Sequence, residues 1–378
     1  MSKRSMVIKM KKIINYISVI SFFVILIMFA VSTLFFQNSL SFSNEKKKTQ
    51  SIKNASENYI TDNFPLTNNW KALYTNALVF LGKEQFDNVY ILDDKLVEVF
   101  DKIDSEKLEN NISKINTFAE NTDNQVYVMI SPTASGIYSS MLPSYATQID
   151  QKKVIDDVYY KLDKTVETID AFYPLYSARD EYIFYRTDNK WTSFGSYYAY
   201  VEAIKKLGFE PITMQNYDLD YASQGFYGSL HNKVYYNKIQ SDRINLFRSK
   251  YQSPVTSVQL YDGEQVLKSN SVYFRSALKT ENKTDIYLEG NNYEKAVVKT
   301  SVENAPKLLV IKGDYANTLI PFLTPHYSEI TAVDLDRLKE NGKKLNEIVN
   351  IDDYDQILIM YDIDNFARLD SFDLLENK

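Results

Sequence analysis

Two short stretches hold the residues best suited to chemistry. Thr187-Asp188-Asn189-Lys190-Trp191 places an acid and a base two positions apart, beside one of only two tryptophans. Gly313-Asp314-Tyr315-Ala316-Asn317 follows the apolar run KLLVIK (307–312). A side chain at a strand–turn–helix junction stands near free backbone amides, so a Ser there would be a nucleophile with an oxyanion site at hand. This chain has Asp314 instead. A carboxylate lacks a transferable hydroxyl, although carboxylates do act as covalent nucleophiles in other enzymes. Lys190 is normally protonated and can act as a base only when strongly desolvated.

These side chains need elements to hold them. Thr192 or Ser193 can cap a helix in which Tyr197, Tyr200, Val201 and Ile204 recur at helical spacing. Runs at 126–130 (VYVMI), 307–312, 330–335 (ITAVDL) and 356–361 (QILIMY) are continuously apolar, as in strands buried on both faces of a parallel sheet. Residues 88–92 and 168–170 predict shorter strands. Helices are expected at 150–168, 317–323 and 338–349, and after residue 64 with Trp70, Leu73, Ala77, Leu78 and Leu81 on one face. This alternation implies βαβ units, with ligands received beyond the C-terminal ends of the strands. Residues 212–300 are less regular and are expected to form an insertion over one end of the sheet.

The chain has 378 residues, 44% hydrophobic and 24% charged, enough for a large core. It has no cysteine, which excludes disulfides, thiolate nucleophiles and Cys-ligated metals, and only two histidines, His231 and His326, too few for a His-rich zinc site. No metal or cofactor is expected. A net charge of −6 argues against general nucleic-acid binding. Thirty tyrosines suit either core packing or sugar-binding surfaces. Residues 1–12 form a basic tail, and 13–36 carry no charge and are long enough to cross a bilayer as a signal anchor. A polar stalk at 37–57 then leads to an outer domain at 58–378. His231 could supply a replacement base, His326 reads as structural, and the Asp-rich turn 362–365 lacks calcium-loop spacing and is expected to be solvated.

The segment RTDNKWTSFGSYYAY (186–200) resembles the signature region of the bacterial DHHW proteins, named for an Asp-His-His-Trp motif. That family in turn resembles the SGNH-like acetylation proteins of alginate export. FPLTNNWKALYTNALVFLGKE, VYVMISPTASGIYSSMLP, DEYIFYRTD, QGFYGSL, IYLEGNN, KLLVIKGDYANTLIPFLTPHYSEITAVDL and QILIMYDIDNFA are similar to family segments in the same order. The resemblance implies a three-layer α/β/α, flavodoxin-like SGNH sandwich with a mainly parallel sheet. It places Asp188 at the triad acid, Lys190 at the histidine and Asp314 at the serine, leaving two of three identities replaced, so that the three either form an ion-paired cluster or leave Asp314 as a nucleophile in a rearranged site. Trp191, Tyr315, Asn291 and Asn317 are the candidate substrate contacts. The implied role lies in O-acetylation of a cell-envelope polysaccharide beside a membrane-bound O-acyltransferase, with the bilayer engaged through 13–36. The degraded triad implies an accessory or glycan-binding protein. An active acetyltransferase or esterase, or a scaffold for membrane partners, are the alternatives.

Overall fold

In the computed structural model, residues 16–24, 27–28, 66–251 and 253–375 are described. They fall into two units, Met1–Leu81 and Gly82–Lys378. In the first, residues 16–24 are helical and helix α1 spans Thr67–Phe80. Of the face expected to turn inward, Trp70, Leu73 and Leu81 are exposed, and Thr75 is the buried residue of α1. Among the described residues no helix is long and apolar enough to cross a membrane. The basic tail and the stalk lie outside the described residues, as does much of the expected span 13–36.

The second unit begins with a small antiparallel sheet, β1 (Gln85–Phe86), β2 (Val89–Ile91) and β3 (Leu96–Glu98). Next come α2 (Ser105–Glu120), β4 (Gln125–Ser131), α3 (Gln151–Lys161), β5 (Val166–Asp170) and α4 (Ser193–Lys206). A two-stranded sheet of β6 (Tyr217–Phe226) and β7 (Asp242–Ser249) follows. The remainder is β8 (Val255–Asp262), β9 (Gln265–Ser269), β10 (Lys295–Thr300), β11 (Lys307–Lys312), α5 (Ala316–Leu323), β12 (Glu329–Val333), α6 (Leu335–Glu340), β13 (Gln356–Asp362) and α7 (Ile363–Arg368). The main sheet runs β5-β4-β13-β11-β12-β10-β8-β9, parallel through its first five strands and antiparallel beyond β12.

A large, mainly parallel sheet in a mixed α/β fold is thus present, as expected. β4, β11 and β13 are buried almost end to end, which requires cover on both faces. Two helix groups provide it: α2 and α7 pack together with residues 371–375, and α4 packs with α5 and the short helix Phe172–Ser177. Side-chain caps set where several helices start, with Asp104, Asp150, Thr192, Asp334 and Asp362 each accepting amide hydrogens of a first turn.

Some expectations are corrected. The helix from 150 stops at Lys161 because Leu162 is extended and Asp163 accepts from both the amide and the hydroxyl of Thr165, making the turn into β5. Strand β12 ends at Val333, since Asp334 is spent capping α6. The helix expected over 338–349 is divided between α6 and Leu345–Ile348, with Gly342 between them at a φ of 66°. Residues 212–300 are only partly an insertion. β8, β9 and β10 extend the main sheet, with Val258 and Leu260 turned into the core.

Candidate active site

The loop before α4 is held at several points. Phe184 and Trp191 form an antiparallel bridge, the Tyr185 amide donates to the Lys190 carbonyl at 3.2 Å, and the Thr192 amide donates to Ile183 at 2.9 Å. Asp242, fully buried at the start of β7, clamps the loop from behind. It accepts from the Tyr182 hydroxyl (2.6 Å), the amides of Arg186 (2.7 Å) and Thr187 (2.8 Å), and the Thr187 hydroxyl. Thr187 in turn accepts from the amides of Gly228, Leu230 and His231. Burial pushes the Asp242 carboxyl above its ordinary range, and these four donors pull against that push.

Asp188, at the outer end of the clamp, accepts from the Lys190 amide at 3.2 Å and the Ser229 amide at 2.8 Å. Gly228 is required there, because a Cβ would lie 2.3 Å from the Asp188 Oδ2. Gly313 meets a similar limit, with a Cβ coming within 2.8 Å of the Tyr361 ring on β13. The tight turn after β11 therefore delivers Asp314 to Lys190, Nζ to Oδ2 at 3.1 Å. Lys190 also donates to Thr284 Oγ1 at 3.3 Å. Asp188, Lys190 and Asp314 are brought together across more than a hundred residues of chain. Burial works to lower the Lys190 pKa, but Asp314, Asp188 and Asp285 outweigh it and hold the ammonium well above its ordinary value. Asp285 had no signal in the sequence. Burial raises its pKa, and Lys190 opposes the shift.

The expected substrate contacts divide. Trp191 has no exposed surface, donates its indole N–H to the Tyr315 carbonyl at 3.1 Å and packs 4.9 Å from the Tyr315 ring. It is a packing residue, not a sugar platform. Tyr315 borders the cleft, yet its hydroxyl is committed to the Asn189 carbonyl at 2.6 Å. Asn317 is buried, with its amide donating to Asn291 Oδ1 (2.7 Å) and its carbonyl accepting from the Tyr293 hydroxyl (3.0 Å). Asn291 Oδ1 also accepts from Lys312 Nζ at 2.6 Å. Lys312 has no exposed side-chain surface; it pairs with Asp334 at 3.2 Å, and burial lowers its pKa despite that partner. A Lys closing an apolar strand gave no hint of this.

A cleft of about 410 Å³ opens at the C-terminal ends of β4, β11 and β13, bordered by Thr133, Asn189, Asp314 and Asp362. Asp362 is a correction: the turn expected to be solvated buries this residue, which caps α7 and accepts from Asn365 through both oxygens. Burial raises its pKa to about 6. The folded state therefore holds this proton more tightly than the unfolded chain, so the stability it contributes is present below about pH 4 and lost as pH rises to about 6. Over that window the unit is expected to lose up to about 3 kcal/mol at this residue. Asp362→Asn, uncharged throughout, removes that part of the pH dependence in denaturant titrations between about pH 4 and pH 7.5.

Neither histidine joins the cluster. His326 is buried, 2.9 Å from the Tyr200 hydroxyl, and burial lowers its pKa to about 4. The His231 ring lies 4.4 Å from that of Tyr227, tilted by 38°, and burial lowers its pKa as well. Among the described residues no group of carboxylates and histidines could hold a metal ion.

The family described as DHHW protein matches residues 42–333. Among solved structures, a DHHW family protein from Eubacterium siraeum is similar at 19% identity and a TM-score of 0.60, over 76% of this chain and 93% of that one. Bacillus cereus PatB1, solved with a sulfonyl adduct, is similar at 16% identity and a TM-score of 0.65, over 76% of this chain and 98% of that one. No curated protein matches the chain.

Proposed function

Because the chain belongs to the DHHW protein family, we propose that it is a catalytically degenerate member that binds glycan in an O-acetylation pathway for cell-envelope or extracellular polysaccharide. In this reading residues 13–36 anchor it in the membrane, the following domain lies outside the cytoplasm, and a membrane-bound O-acyltransferase is its partner. The Lys190–Asp314 ion pair carries the degeneracy. Acyl transfer through a serine needs a hydroxyl to attack and an imidazole to take and return its proton. A carboxylate stands at the first position, and at the second an ammonium held charged by three acids. The strand–turn–helix presentation remains, so the cleft keeps a binding geometry without its proton shuttle.

The full-length chain in detergent is expected to hydrolyse p-nitrophenyl acetate, and to transfer acetyl groups to saccharide, no faster than its Asp314→Ala variant. Turnover that disappears in Asp314→Ala overturns the degeneracy. Asp314→Ser combined with Lys190→His is expected to bring hydrolysis above background, since the backbone frame is already in place.

A further inference from the structure

Lys312 is set apart from the other lysines of the cluster: its side chain has no exposed surface, and its amine faces a carboxamide as well as a carboxylate. We propose that Lys312 and Asn291 join in an intramolecular isopeptide bond, Nζ to Cγ, with loss of ammonia and with Asp334 as the proton carrier. Nζ stands 2.6 Å from Asn291 Oδ1 and 3.2 Å from Asp334 Oδ2. Cγ is one carbonyl bond beyond Oδ1, so nitrogen and carbon are at most about 3.8 Å apart, near attack range. The carboxamide turns on a soft terminal torsion, which brings the carbon to face the nitrogen.

The neighbours suit each step. Asp334 Oδ1 is taken by the amides of Asp336 and Arg337, leaving Oδ2 to the lysine. The ammonium passes a proton to Oδ2, a transfer that burial favours because both products are neutral. As the amine attacks Cγ, charge develops on Oδ1, where Asn317 Nδ2 already donates at 2.7 Å. The Tyr293 hydroxyl holds Asn317 in that orientation at 3.0 Å. One Nζ proton then moves to Nδ2, and the Cγ–Nδ2 bond breaks. Ammonia leaves from Asn291, which lies at the surface, and takes back the proton held by Asp334. Nothing is oxidised or reduced. Burial lowers the Lys312 pKa, whereas at Lys190 burial is outweighed by three acids, so of the two lysines Lys312 is poised as a nucleophile. The bond ties positions 21 residues apart, the segment ahead of β10 and the end of β11, in a chain that has no cysteine for a disulfide.

Mass spectrometry of the denatured full-length chain tests this. Most chains are expected to be lighter than the sequence mass by one ammonia. Trypsin is expected to leave Lys312 uncut and to release residues 284–295 joined to 308–337 as one branched peptide. That peptide separates the bond from ammonia lost at Asn341-Gly342. Asn291→Ala is expected to show its full mass and normal cleavage at Lys312. Asp334→Asn, which can still cap α6, is expected to fold, by circular dichroism, yet to stay unlinked. A full mass with cleavage at Lys312 in the folded parent overturns the bond. Linkage in Asp334→Asn at the parent's level overturns the role of Asp334.

Discussion

Lys190→Met is expected to lower the stability of the Gly82–Lys378 unit by about 2–3 kcal/mol at neutral pH, because one ammonium offsets three carboxylates. Methionine fills the space of the lysine stem, so the loss reports charge rather than packing. It leaves Asp188, Asp285 and Asp314 facing one another with no cation between them. The Lys190 and Asp314 side chains keep 22% and 29% of their surface exposed, so solvent screening trims the effect below that of a fully buried pair. Urea unfolding of the variant should show a lower midpoint at unchanged slope. The gap from the parent should narrow as pH falls and the carboxylates take up protons. Adding Asp314→Ala should restore part of the loss, giving a coupling of about 1–2 kcal/mol in a double-mutant cycle. A midpoint identical to the parent would mean that the pair carries no weight and the loop is held by its backbone alone.

Asp242→Ala is expected to cost more, about 3–5 kcal/mol, since it strips one buried acceptor from four donors at once. Two of those donors are the Arg186 and Thr187 backbone amides, the second of them buried, and both lose their acceptor when the aspartate is gone. Asp242→Asn should cost about half as much: one amide oxygen still accepts, while its NH₂ meets the donors of Thr187. Thermal unfolding ranks the two. Loss of the Asp188 geometry should accompany both, visible as weakened saccharide binding even where the fold survives.

Aspects of this molecule that depend on one residue type repeated along the chain were legible in the sequence. Continuous apolar runs at 126–130, 307–312 and 356–361 read as strands covered on both faces, and they brought with them the turn that presents Asp314. The start of α4 was legible to within Thr192 or Ser193, and Thr192 is the residue that caps it. Residues that act by tertiary approach were not legible. Asp242 and Asp285 sit in the stretch whose irregular pattern concealed both a hairpin and three strands of the main sheet. Lys312 ends an apolar run, and only the fold reveals that Asn291 and Asp334 receive it. Trp191 misled for a related reason. An aromatic next to charged residues looks like a platform until the Tyr315 backbone is seen to take its indole hydrogen.

The placing of β13 has a consequence for how the chain reaches this state. The final strand in sequence lies in the middle of the parallel sheet, between β4 and β11. As synthesis proceeds from the N-terminus, β4 and β11 emerge with a gap where their shared neighbour belongs, and neither can complete its ladder. The cleft opens on the ends of these same three strands, so it comes into being only when residues 356–362 arrive. Pairing across such separations is slow, since loop closure must precede any gain from contact. Until residues 356–362 are available the parallel sheet lacks its middle strand, so a cut that removes them takes the keystone of the sheet.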